Sequence, residues 1–235
     1  MRILLIICLG FFSHCSYAEQ SFNSGRTKNA LLELYTSQGC SSCPPADRWM
    51  SRLVNHPQLW TSIIPVVFHV DYWNYLGWRD PFSKSSFSLR QREYSARHSL
   101  KSVYTPAILF NGKEWRDWYK STDIPATTES SGMLKSVLVD NELSVTFEQH
   151  SPFMLYVALL AFNTTTEIDS GENSGKTLEG NFVVLDLQSA YSDTANWKLK
   201  IRKDTFNKQY KLALAIWISS TSSLQPVQST GGWLE

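Results

Sequence analysis

The stretch TSQGCSSCPPAD, residues 36–47, places two cysteines three positions apart with two prolines directly behind them. Such a pair can be a redox couple, half of a metal site or a short structural disulfide. The segment before it, ALLELYTS (30–37), is a short apolar run that predicts a buried strand. The segment after it, CPPADRWMSRLVN (43–55), predicts a helix, because prolines are tolerated in a first helical turn.

A second apolar run, SIIPVVFHV (62–70), has the length and the β-branched residues of a strand. Two strands joined by a helix form a βαβ unit, so we expect them to be parallel. Residues 85–100 predict a second helix, and the Asn111-Gly112 pair between two apolar arms predicts a β-hairpin. We expect a closing helix over residues 128–139, with Leu134 among its inward-facing residues.

The character of the sequence changes at about residue 141, where short apolar or alternating segments begin to follow one another. This pattern predicts a small antiparallel sandwich over residues 141–235, with residues 163–180 as a long polar loop between strands. The predicted strands are LSVTFEQ, FMLYVALLAF, NFVVLDLQSA, WKLKIR and YKLALAIWIS.

The first eighteen residues have the layout of a cleaved secretory signal. Arg2 precedes an apolar run from Ile3 to Phe12, and small residues before the end predict cleavage after Ala18. An uncleaved anchor is the first alternative, but about ten apolar residues are too few to span a bilayer. Lipid attachment at Cys15 is the second, and the residues in front of Cys15 fit that processing poorly. We therefore expect a periplasmic or secreted protein.

Cleavage would change both the cysteine count and the charge. Cys8 and Cys15 would leave, so Cys40 and Cys43 would be the remaining pair, in a compartment where disulfides form and persist. Without Arg2, Lys and Arg would balance Asp and Glu at 21 each. This balance gives no indication of nucleic acid as a partner. No later run of the sequence is apolar enough for a transmembrane span.

The order strand, CxxC, helix, strand, helix and hairpin resembles the thioredoxin fold over residues 29–140. Thr105-Pro106, which precedes AILFNG, resembles the thioredoxin segment that carries a cis-proline opposite the cysteines. Four segments more specifically resemble a family of secreted thioredoxin-like proteins of unknown function: LELYTSQGCSSCPPAD, FHVDYWNYLGWRDPF, YTPAILFNG and GENSGKTL. The resemblance implies an α/β fold, with a thioredoxin-like domain at 29–140 and a smaller β-rich, sandwich-like domain at 141–235. It implies no established substrate.

Physical reasoning assigns different roles to the two cysteines. Cys40 would lie at a helix N-terminus, where free N–H groups and the helix dipole favour a thiolate, the attacking species. Ser41 and Ser42 could add hydroxyl donors. Cys43, one turn further along, could resolve a mixed disulfide by attacking the Cys40 sulfur. A cis-Pro106 would present the Thr105 backbone as a strand edge for a substrate peptide.

Two other readings of the cysteine pair stay open. A structural disulfide closing a four-residue loop would contribute only about 2 kcal/mol, a poor position for a single stabilising bond. A zinc or copper site would need further ligands beside Cys40 and Cys43, and His69 at the end of the second strand is the candidate. The competing expectation is that His69 is simply a hydrogen-bonded histidine at a strand end.

Glu33, seven residues before Cys40, resembles the buried acid of thioredoxins that takes the proton of the resolving cysteine. A carboxylate on a buried strand would suit that task, whereas at a strand edge it would point to solvent. The aromatic loop DYWNYLGWRDPF (71–82) follows the second strand, at the end of the sheet where ligands bind. It either packs on itself or lines a substrate groove with Asp71, Tyr72, Trp73 and Trp78. We expect Arg79 and Asp80 to form a local ion pair.

The sequence therefore predicts an exported thiol–disulfide oxidoreductase that works through Cys40 and Cys43 without a cofactor. Its partners would be protein thiols or disulfides, a small thiol, or a redox partner protein. The alternatives are a non-catalytic binding module, which could carry copper or zinc on the CxxC, and a structural protein with an inert disulfide. The direction of electron flow depends on a reduction potential that the residues alone do not give.

Overall fold

The computed structural model of the protein describes residues 19–120, 123–206 and 208–235. The predicted signal segment, residues 1–18, lies outside the described residues. The described chain forms an α/β structure dominated by β-sheet, with two α-helices beside fourteen strands. None of the helices in these described ranges is long and apolar enough to cross a membrane.

The helices and strands have the following bounds. In chain order they are β1 (Glu19–Asn23), β2 (Ala30–Thr36), α1 (Pro44–Ser51), β3 (Ile63–His69), α2 (Ser85–Ala96), β4 (Ala107–Phe110), β5 (Lys113–Glu114), β6 (Leu134–Val139), β7 (Glu142–Phe147), β8 (Phe153–Phe162), β9 (Thr164–Glu167), β10 (Thr177–Gly180), β11 (Val183–Ser192), β12 (Asn196–Lys200), β13 (Lys211–Ser220) and β14 (Pro226–Trp233).

The predicted βαβ unit is confirmed. β2, α1 and β3 follow one another, and β2 pairs with β3 in parallel, with Thr36 opposite His69 at the carboxyl ends of the two strands. Every residue of both strands is buried, as expected for parallel strands that are covered on both faces. Pro44 and Pro45 occupy the first turn of α1, where a missing N–H group costs no intrahelical hydrogen bond.

The second helix and the hairpin are also confirmed. Phe87 and Tyr94 of α2 are buried, although the helix ends at Ala96 rather than at residue 100. β4 pairs antiparallel with β2 and turns back into β5. Asn111 and Gly112 have φ angles of 49° and 75°, the left-handed values that both central residues of a type I′ turn require.

The expected closing helix over residues 128–139 is wrong, because its second half forms strand β6. Leu134, Ser136 and Leu138 are buried while Lys135 is exposed, so burial follows the two-residue period of a strand. β6 pairs antiparallel with β1 on one side and β7 on the other. β1 is more than a hundred residues away in sequence, whereas β7 follows β6 after a two-residue turn. Pairing on both sides outweighs a local spacing that is also compatible with a helix.

The five predicted strands beyond residue 141 are confirmed as β7, β8, β11, β12 and β13. The stretch 163–180 is not one long loop, because β9 and β10 pair within it as a small antiparallel hairpin. Residues 168–176 connect these two strands, and they lie over the cysteine pair.

One eight-stranded sheet joins the two predicted domains, residues 29–140 and 141–235. Its strand order is β14-β13-β8-β11-β3-β2-β4-β5. The junction is the parallel contact of β11 with β3 at Val183 and Val67, where the Val67 N–H donates to the Phe182 carbonyl at 2.9 Å. The βαβ unit is thus built directly onto the edge of the β-rich half.

A second sheet of four strands, ordered β1-β6-β7-β12, packs against the β-rich end of the large sheet. Phe22, Val145 and Trp197 of the small sheet share a buried cluster with Leu155 and Ile216 of the large one. This layer forms a sandwich, and it includes β1 and β6 from outside the segment that the sequence predicted. The CxxC lies at the other end of the large sheet.

Candidate functional site

The cysteine pair lies where β2 leads into α1. Cys40 and Cys43 form a disulfide with Cα atoms 5.4 Å apart, and Cys43 is the N-cap residue of the helix. The two residues are only 1% and 0% exposed. A reacting thiol or disulfide can therefore reach the sulfurs only if neighbouring residues move aside.

Backbone N–H donors are scarce beside Cys40. Pro44 and Pro45 carry none, and the Cys43 N–H donates to the Cys40 carbonyl at 3.2 Å. The Ser41 N–H donates to a carboxylate oxygen of Glu172 at 3.0 Å. Close to the sulfur itself, the Ser42 hydroxyl lies 3.4 Å from Cys40 Sγ. The helix start is thus less rich in anion-stabilising donors than the sequence suggested.

The segment between β9 and β10 covers the cysteine pair from the β-rich half. Asn173 is fully buried, and its side-chain amide donates to the carbonyls of Gln38 and Cys40 at 2.9 and 3.0 Å. Ser170 Oγ anchors the same segment by donating to the Gly77 carbonyl at 2.6 Å. We name residues 168–176 the cap segment.

Two of the four predicted groove residues lie beside the CxxC segment. Trp73 Nε1 donates to Thr105 Oγ1 at 2.7 Å, and a Cβ added at Gly39 would lie 3.2 Å from Trp73 Cβ. Trp78 Nε1 donates to the side-chain oxygen of Gln38 at 3.1 Å. The Thr105-Pro106 bond is cis, and β4 begins immediately after it.

The other two predicted groove residues contact α2. Asp71 accepts a hydrogen bond from the Ser88 hydroxyl, and the Tyr72 hydroxyl donates to Gln91 Oε1 at 3.1 Å. Burial raises the pKa of Tyr72 to about 12. Asp71 and Tyr72 therefore tie the aromatic loop to the helix, while Trp73 and Trp78 extend towards the cysteines.

Glu33 is completely buried, so it does not point to solvent as one reading expected. Its carboxylate accepts a hydrogen bond from Arg90 Nε at 2.9 Å and others from the Tyr35 and Tyr94 hydroxyls. Arg90 and Tyr94 belong to α2, whereas Thr36, three residues after Glu33, bonds to α1. Because side chains alternate along a strand, Glu33 faces away from the helix that follows the cysteines.

Arg90 completes a buried ionic and aromatic cluster on that opposite face. Its guanidinium carbon lies 4.8 to 5.7 Å from the ring centroids of Phe68, Tyr94, Tyr156 and Trp217. Burial opposes the charge of Arg90, but the Glu33 carboxylate outweighs it and holds the pKa of Arg90 well above its ordinary value. The described contacts of Glu33 are thus structural.

A second acid, half-buried Asp47, lies on the face of the sheet that α1 covers, and the sequence did not single it out. The Thr36 hydroxyl donates to Asp47 Oδ2 at 3.1 Å, whereas buried Oδ1 has no hydrogen-bond partner among the described residues. Burial raises the pKa of Asp47 to about 6, although the charge of His69 and the Thr36 hydrogen bond oppose this rise. Asp47 follows Cys43 by four residues on the predicted helix, a spacing that could have indicated it.

His69 and Asp80 form a buried pair next to Asp47. His69 Nδ1 lies 2.7 Å from Asp80 Oδ2, which also accepts the Gln38 N–H at 2.8 Å. Burial disfavours both charges, but their mutual attraction wins, so the pKa of His69 is raised and that of Asp80 is lowered. The expectation of a hydrogen-bonded histidine is confirmed. The ion pair expected between Arg79 and Asp80 is not found, because Asp80 pairs with His69 instead.

A small cavity of about 20 Å³ adjoins Asp47 and His69, with Gln38 and Thr164 among its other lining residues. This volume is large enough for about one water molecule. Within the three described ranges, no three His, Cys, Asp or Glu side chains are grouped so that they could hold a metal ion. The described arrangement thus combines a disulfide, a half-buried acid and an imidazole–carboxylate pair.

Comparison with known proteins shows a shared fold and a family. The chain is similar to the crystal structure of a structural genomics target from Agrobacterium tumefaciens, with a TM-score of 0.61, 23% identity, and coverage of 89% of this chain and 95% of that one. It is also similar to HBP35 of Porphyromonas gingivalis, with a TM-score of 0.54, 13% identity, and coverage of 90% and 76%. At these identities the likeness is one of fold alone.

Sequence comparison adds the family. No curated protein gives a significant match to the chain. The sequence profile described as "Protein of unknown function (DUF1223)" matches residues 31–219, so the chain belongs to this family.

Proposed function

We propose that the protein is an exported thiol–disulfide oxidoreductase of thioredoxin-like architecture that acts on protein or small-molecule thiols and disulfides. The observation that carries this proposal is the Cys40–Cys43 disulfide at the junction of a buried parallel strand with a helix. A CxxC in a βαβ unit is typical of redox motifs. The predicted signal segment supports a periplasmic or secreted location, where such a disulfide would persist.

The proposed reaction is thiol–disulfide exchange in two steps. The Cys40 thiolate attacks one sulfur of a substrate disulfide, a mixed disulfide forms, and the other substrate sulfur leaves as a thiolate. Cys43 then loses its proton and attacks Cys40 Sγ, which releases the second substrate thiolate and forms the Cys40–Cys43 bond. Two electrons pass from the protein dithiol to the substrate, and the same steps run in reverse for substrate oxidation.

We assign the proton of Cys43 to Asp47 rather than to Glu33. Residues four apart on a helix are neighbours, with Cβ atoms about 5–6 Å apart, and both Cys43 and Asp47 face the sheet. Asp47 has a free carboxylate oxygen and a raised pKa, whereas Glu33 is engaged by Arg90 on the other face. A carboxylate that titrates near the working pH is suited to accept and return a proton.

Replacing Asp47 with asparagine should slow resolution of the mixed disulfide by about 100-fold at pH 7, the lower end for general base catalysis. Because the pKa of Asp47 is raised to about 6, the wild-type rate should rise as the pH increases through 6 and Asp47 becomes ionised. Asp47→Asn should lose this step in the pH profile. Rapid-mixing kinetics with glutathione disulfide measures the formation and the resolution of the mixed disulfide separately. An unchanged rate of formation is the internal control. An unaltered resolution rate and pH profile would exclude Asp47 as the proton acceptor.

The proposed activity itself is tested by reduction of a protein disulfide. Cys8→Ser/Cys15→Ser protein, in which Cys40 and Cys43 are the remaining cysteines, is added to insulin and dithiothreitol at substoichiometric concentration. The proposal predicts that insulin is reduced faster than by dithiothreitol alone, and that the additional Cys40→Ser/Cys43→Ser change removes the acceleration. No acceleration by the wild-type pair, with insulin or with oxidised glutathione, would refute the proposed function.

A further inference from the structure

The cap segment brings a negative charge to the residue that follows Cys40. Asn173 fixes this segment through its two hydrogen bonds to the Gln38 and Cys40 carbonyls, and Lys176 Nζ holds Asn173 Oδ1 at 2.8 Å. Next to Asn173, exposed Glu172 accepts the Ser41 N–H at 3.0 Å. The hydrogen bonds from Ser41 lower the pKa of Glu172, so its carboxylate is charged at neutral pH.

Glu172 therefore takes up one of the few backbone N–H groups next to Cys40. Two of the nearby positions are prolines, and the Cys43 N–H is already bonded to the Cys40 carbonyl. The Ser42 hydroxyl remains close to the sulfur, at 3.4 Å. A carboxylate at this place has two effects, because it takes up the Ser41 N–H and repels a second negative charge.

We propose that Glu172 biases the Cys40–Cys43 couple towards the disulfide, so that the reduced protein is the better electron donor. Couples become strong oxidants when the reduced state is stabilised, chiefly through the thiolate of the first cysteine. Glu172 acts in the opposite sense. It is a positioning residue that accepts the N–H of Ser41, next to Cys40, without taking part in bond exchange, and it gives the β-rich half a direct influence on the redox site.

This inference deepens the proposed function and rests on it for its biological meaning, but the equilibrium that tests it requires no protein substrate. Reduction breaks the Cys40–Cys43 bond and takes two electrons and two protons from dithiothreitol, which closes to its cyclic disulfide. The Cys8→Ser/Cys15→Ser protein is equilibrated in buffers of defined reduced-to-oxidised dithiothreitol ratio. Alkylation and mass spectrometry then give the reduced fraction.

Glu172→Gln is the informative variant, because glutamine can still accept the Ser41 N–H but carries no charge. The equilibrium constant should shift at least about threefold towards the dithiol, which corresponds to a rise in potential of about 15 mV. The shift should shrink at 1 M salt, since Glu172 is exposed and the Debye length falls to about 3 Å. Asp169→Asn, which removes an exposed charge from the same segment, is the matched control and should leave the constant unchanged.

Three results would overturn the inference. They are an unchanged equilibrium constant in Glu172→Gln, an equal shift in Asp169→Asn, and a change in exchange rates without a change in the equilibrium constant. The third result would mean that Glu172 only restricts access to the disulfide and does not alter its redox equilibrium. If Glu172→Gln shifts the equilibrium constant but the protein does not accelerate insulin reduction, this inference stands and the proposed function is refuted. The two failures are therefore distinguishable.

Discussion

Replacing Cys43 with serine is expected to trap Cys40 in a mixed disulfide, whereas replacing Cys40 with serine should leave almost no adduct. Without Cys43 nothing resolves the first intermediate, so it accumulates. In the Cys8→Ser/Cys15→Ser background, mass spectrometry after exposure to glutathione disulfide should find the adduct at least about tenfold more in Cys43→Ser than in Cys40→Ser. The expected difference is nearly all-or-none.

The roles of the two cysteines depend on their positions in the chain. Cys40 precedes the helix and lies beside the Ser42 hydroxyl, while Cys43 is the N-cap of α1 and fully buried. Both residues are covered, so exposure alone does not choose the nucleophile. Equal adduct levels in the two single variants would contradict the assignment, and predominant adduct on Cys43 would reverse it.

Replacing Glu33 with leucine should destabilise the protein by about 3–5 kcal/mol, because the change leaves the buried Arg90 charge without its partner. Arg90 cannot relax into solvent easily, since aromatic rings surround its guanidinium. Chemical denaturation monitored by tryptophan fluorescence measures the loss. A change below about 1 kcal/mol would contradict a structural role for the pair.

A double variant separates this structural role from catalysis. Glu33→Leu/Arg90→Met removes both charges, so it should recover most of the stability that the single variant loses. Since we assign proton transfer to Asp47, the double variant should also keep the rate and the pH profile of mixed-disulfide resolution. Recovered stability with lost resolution would return the catalytic assignment to Glu33, as the resemblance to thioredoxins implies.

The local parts of the architecture could be predicted from the sequence. The apolar runs of β2 and β3, the prolines at the start of α1 and the Asn111-Gly112 turn each carry their signal within a few residues. β6 shows the limit of such signals. Its apolar residues fit both helical and strand spacing, and pairing with β1, more than a hundred residues earlier in the chain, decides between them.

The sulfurs, the cis Thr105-Pro106 bond, the aromatic loop and the hydrogen-bonded His69 could be predicted from the sequence, and the rest of the candidate site could not. Which face of the sheet Glu33 occupies depends on the register of its strand. A shift of one residue in that register would move its side chain to the other face. Asp47 meets His69 and Asp80 only after β2 and β3 pair, because nothing in the spacing of these residues places them together. Glu172 lies more than 130 residues along the chain from Ser41, which it contacts, and Asn173 lies equally far from Cys40.

The Cys40–Cys43 redox couple is tested most directly by comparing folded and unfolded protein. The rate constant for oxidation of the reduced Cys8→Ser/Cys15→Ser chain by glutathione disulfide is measured at pH 7 in buffer and again in denaturant. If the fold creates a redox site, the native dithiol should react at least about tenfold faster than the unfolded one, where each thiol keeps an ordinary pKa near 8.5. A native rate equal to or below the unfolded rate would show that the fold protects an inert disulfide, and it would contradict the proposed function.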